Sequence, residues 1–155
     1  MIHQLSHLDQ AEKDLLLDMI PMITILIGGA DGQLDSDEVH ESERVTKVRA
    51  YVNSDKLSDY YNLVGERFNS RLRELINELP RDTDSRTAEL SEEMAKISPV
   101  LSKMRDDQAE LFLKSWRTFA KHVAKSSGGF LSYLTESAEE LALVDLPMID
   151  FEPGI

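Results

Sequence analysis

Leu8-Asp9-Gln10-Ala11-Glu12-Lys13-Asp14-Leu15-Leu16-Leu17-Asp18-Met19-Ile20-Pro21-Met22-Ile23-Thr24-Ile25-Leu26-Ile27 is the stretch that decides the fold. Leu8, Ala11, Leu15, Met19, Met22, Ile23 and Leu26 recur at helical spacing, and the second half is apolar on nearly every side. A helix without a polar face has to be surrounded, so the stretch predicts a central helix in an all-α protein. Pro21 carries no N–H and predicts a kink or a division into two pieces. The apolar run Met19–Ile27, interrupted by Pro21 and Thr24, is far shorter than the roughly 20 residues a bilayer requires, so it reads as core.

The next residues, Gly28-Gly29-Ala30-Asp31-Gly32-Gln33-Leu34, end this helix, because glycine supplies the left-handed conformation that helix termini commonly use. Asp35 with Glu38 three residues on resembles a capping box, and Leu34 and Val39 occupy the staple positions of a second helix running to about Val52. After a cap signal at Asn53-Ser54-Asp55, the residues Leu57, Tyr60, Tyr61, Val64, Phe68, Leu72, Leu75, Ile76 and Leu79 form a long amphipathic stripe, with Gly65 as a candidate break. Pro80-Arg81-Asp82-Thr83-Asp84 is a turn. Leu90, Met94, Ile97, Leu101 and Met104 give a further helical face interrupted near Pro99.

From Asp107 to Lys125, Ala109, Phe112, Leu113, Trp116, Phe119, Ala120 and Val123 share one side of a strongly patterned helix. Ser126-Ser127-Gly128-Gly129 stops it, a last helix covers Glu136 to about Leu143, and residues 145–155, with two prolines and a glycine, read as an extended tail. No alternating β-branched run is flanked by a hairpin turn. The expectation is a single all-α domain over residues 1–155, a compact bundle of about six to eight helices. A weak pseudo-repeat sets the two-glycine loop near residue 30 against the one near residue 130.

A formal charge of −12 and a pI near 4.7 oppose binding to nucleic acid, whose affinity comes from basic groups that release counterions. That field suits cations or a basic protein surface, and leaves homo-oligomerisation open. The start Met1-Ile2-His3-Gln4-Leu5-Ser6-His7 lacks the pattern of a secretory signal, and the chain has no cysteine, so a cytoplasmic location is expected.

Ala30-Asp31-Gly32-Gln33-Leu34-Asp35-Ser36-Asp37-Glu38 matches the second half of an EF-hand loop, with Glu six residues after the glycine. The first and third loop positions would be Ile27 and Gly29, which offer no side-chain oxygen, so a complete EF-hand calcium site is excluded. What survives is a carboxylate cluster, Asp31, Asp35 and Glu38, aided by Glu41 or Glu136, of the hard-oxygen type that takes a divalent metal ion. The same residues have a strong purely structural reading, Asp35 as a cap, Asp37 and Glu38 against the helix dipole and Gly32 in the turn. His3 and His7, four apart, are a weak second metal pair, and His40 amid Glu38, Glu41 and Glu43 reads as a surface ion pair with a raised pKa. There is no cysteine nucleophile, nucleophile elbow or phosphate loop, and paired carboxylates lack a second catalytic group, so no enzyme is expected.

The apolar helix followed by Gly29-Ala30-Asp31-Gly32-Gln33-Leu34-Asp35-Ser36-Asp37-Glu38 resembles the tellurite-resistance TerB-like superfamily, which includes the membrane-proximal domain of DjlA-type co-chaperones. The later Ala124-Lys125-Ser126-Ser127-Gly128-Gly129-Phe130-Leu131, leading into Thr135-Glu136-Ser137-Ala138-Glu139-Glu140, resembles that family's second loop and helix. The two segments cover about a third of the chain. The resemblance implies a compact helical module with a pseudo-repeat, acting in a stress-response or membrane-associated assembly. It also implies a metal ion on Asp31, Asp35 and Glu38. The second loop has Gly128-Gly129 where the first has Asp31-Gly32, so Glu139 or Glu140 would have to compensate in a symmetric site. The alternative is a metal-independent domain whose acidic surface engages a protein partner.

Overall fold

The computed structural model describes residues 8–28, 57–126 and 145–150. Its helices are α1 (Gln10–Gly28), α2 (Ser58–Glu78), α3 (Thr83–Ala95), α4 (Ile97–Ser102) and α5 (Asp106–Ser126). The described residues thus form an all-α bundle of four long helices and one six-residue helical segment, without a strand. They do not support the expected count of six to eight.

Each helix begins and ends for a local reason. At the start of α1 the Asp9 carboxylate accepts from the Glu12 backbone N–H at 2.8 Å, and the Glu12 carboxylate accepts from the Asp9 N–H at 3.0 Å. This reciprocal box satisfies two donors that a helix start leaves unpaired. Asp82 caps α3 by accepting from both the backbone N–H and the hydroxyl of Ser85. The cap explains why α3 starts at Thr83, well before its first buried residue, Leu90. Pro99 explains the break after α3, because its ring opposes the carbonyl four residues back, at Ala95, where α3 ends. Pro21 does not divide α1, which runs through it as one helix.

Helix α1 packs against every other described helix. Met19, Ile20, Met22, Ile23, Ile25, Leu26 and Ile27 are all buried, as the lack of a polar face requires. In its first half the buried face differs from the expected one: Ala11 is exposed and Leu16 is buried in place of the half-buried Leu15. Three leucines in succession fit either register, and the fold takes Leu16 into the common core. Helix α5 buries the seven residues its spacing assigned to the core. Fully burying a large aliphatic or aromatic side chain is worth about 1.5–3 kcal/mol, so α1 and α5 supply much of the driving force.

Asp14 and Asp18 of α1 pair with Arg67 and Arg71 of α2, and Ile25 of α1 and Ile76 of α2 line one cavity. Ile76, assigned to the apolar stripe, is instead 42% exposed. Residues 145–150 carry a turn closed by Ile149 N–H on the Leu146 carbonyl, and Leu146 and Ile149 enter the common core. The Asp145 carbonyl accepts from Arg117 of α5, and the Asp150 N–H donates to Ser98 of α4. Leu146 has φ 52°, a left-handed conformation costly for a leucine, and its complete burial offsets that cost.

Gly65 does not break α2, and a Cβ built there meets nothing within 4 Å. Gly65→Ala is expected to raise stability by about 0.5–1 kcal/mol through helix propensity and a less flexible unfolded chain, read from the urea midpoint at unchanged slope.

Candidate functional site

Two polar clusters occupy the seams of the described bundle. The first lies where α1, α2 and α5 meet. The Tyr60 hydroxyl donates to the Leu16 carbonyl at 2.7 Å and accepts from the Trp116 indole N–H at 3.0 Å. Next to it the Tyr61 and Ser115 hydroxyls bond to each other. Tyr60 meets Tyr61 edge-on at 5.0 Å and Phe112 edge-on at 4.9 Å, arrangements that suit the ring quadrupoles. Burial, together with the neighbouring Tyr61, pushes the Tyr60 hydroxyl well above its ordinary pKa, so it stays protonated as a donor. Trp116, Tyr60 and Tyr61 are fully buried, which makes them core, as their apolar stripes suggest, and not ligand platforms.

The second cluster lines the α1–α2 seam. Asp18, at the start of the closed apolar half of α1, accepts from Arg67 at 3.2 Å and from Arg71 at 3.1 Å. Arg67 also approaches Asp14, and Arg71 bonds Glu74 at 2.9 Å. Burial raises the Asp18 pKa, outweighing the two guanidinium groups that lower it. Although partial burial opposes its charge, Arg71 is held above its ordinary value by Asp18 and Glu74. The cluster is satisfied by its own partners and fixes how α1 lies on α2.

The candidate metal residues Asp31, Asp35 and Glu38, with Glu41, Glu136, Glu139 and Glu140, lie outside the described residues, as do His3, His7 and His40. The described residues reach this region only at its edge, where α1 ends at Gly28 with no basic side chain in its last turn. Among the described residues no group of three or more His, Cys, Asp or Glu is placed to hold a metal ion. No described helix is long and apolar enough to cross a membrane. The residues that sequence reasoning passed over are Asp18, Arg67 and Arg71. Their signal was present: one carboxylate inside an apolar run, and two arginines four apart on the helix that follows. No protein-family model, curated protein or solved structure matches the chain.

Tyr60→Phe leaves the Trp116 indole N–H without its acceptor and the Leu16 carbonyl without this donor. A loss of about 1–3 kcal/mol is expected, with altered Trp116 fluorescence in the folded protein. For Asp18, a folded pKa above the ordinary 3.8 means that its contribution is fully present below that value and is lost as pH rises through the folded pKa. The stability difference between Asp18→Asn and the native chain, followed by urea unfolding, should therefore shift in favour of Asp18→Asn as pH rises through this acid window. A shift in favour of the native chain would mean that the guanidinium groups outweigh burial.

Proposed function

We propose that the chain is a non-enzymatic helical module of the TerB-like kind, in which Asp31, Asp35 and Glu38 take a divalent cation beyond the C-terminal end of α1. The observation that supports this reading best is the setting of α1. It is buried on all sides along its second half, and its last turn carries no basic residue to offset the negative end of the helix dipole. The carboxylates of the Gly-Ala-Asp-Gly loop follow within ten residues of that end. Hard oxygen donors of this kind suit magnesium, calcium or manganese better than softer metals. A cation there would be held against the end of a helix that cannot shift without disturbing the core, and binding would join that helix to the acidic segment.

The same reading places the protein in the cytoplasm, working through protein partners in a stress-response or membrane-associated assembly. It includes the pseudo-repeat between the two glycine loops, within a bundle of six to eight helices. The net charge of −12 favours a second reading, in which the acidic surface binds a basic protein partner without any metal.

A ligand that binds only the native state must stabilise it, so melting temperature separates the two readings. Chelator-stripped protein titrated with calcium, magnesium, manganese and zinc should gain several degrees with one of them. The double variant Asp31→Asn with Glu38→Gln should abolish the gain. A flat response to all four metals would overturn the cation reading and leave the acidic protein-binding surface.

A further inference from the structure

We draw no further inference here: the strongest candidate, the cavity of about 310 Å³ at the α2–α3 corner where Ile25 of α1 meets Ile76, Leu79 and Pro80, is an apolar surface for which nothing among the described residues shows what covers it.

Discussion

The structure depends on the Tyr60 hydroxyl, which reaches from α2 to the backbone of α1 while accepting from the indole of α5. Three helices bury their apolar faces against one another, but burial alone is non-directional and leaves them free to slide. A hydroxyl satisfied on both sides admits only one relative position. It contacts α1 at Leu16, five residues before the backbone loses an N–H at Pro21, and beyond that point the side chains of α1 up to Ile27 are all buried. Buried polar networks specify an arrangement more sharply than apolar packing, because any slip leaves a donor or acceptor unpaired at a cost of a few kcal/mol.

Asp18 works with Tyr60, not beside it. Both fasten α2 to α1, Tyr60 at the Leu16 carbonyl and Arg67 and Arg71 at Asp18, so two kinds of contact set one register. The ionic contact is the more expensive, since burial raises the Asp18 pKa despite two guanidinium neighbours. A satisfied apolar residue at position 18 would often be as stable, and what the carboxylate adds is discrimination between registers that apolar packing treats alike.

Much of this was legible in the sequence, and the parts that were not share a physical cause. The seven-residue face of α5 and the closed second half of α1 carry unambiguous periodicity, because large side chains at helical spacing admit one burial pattern. Leu15-Leu16-Leu17 does not, and only the common core selects among the three. Gly65 read as a break and Ile76 as core, yet a glycine well inside a strong stripe is carried by its neighbours, and a residue at the rim of a stripe is exposed when no helix covers it. The acidic segment was legible as a candidate site from its residue types alone, and it lies outside the described residues. The cavity shared by Ile25 and Ile76 was illegible because it joins α1 to the α2–α3 turn, an adjacency that no spacing along the chain encodes.

The distribution of charge connects these features. A chain with twelve excess negative charges gains little from isolated surface pairs such as Arg105 with Asp107, which solvent screens. Its arginines matter most where water is partly excluded, as in the α1–α2 seam. In the seam the guanidinium groups meet a carboxylate of the chain itself, and their charge is spent on register.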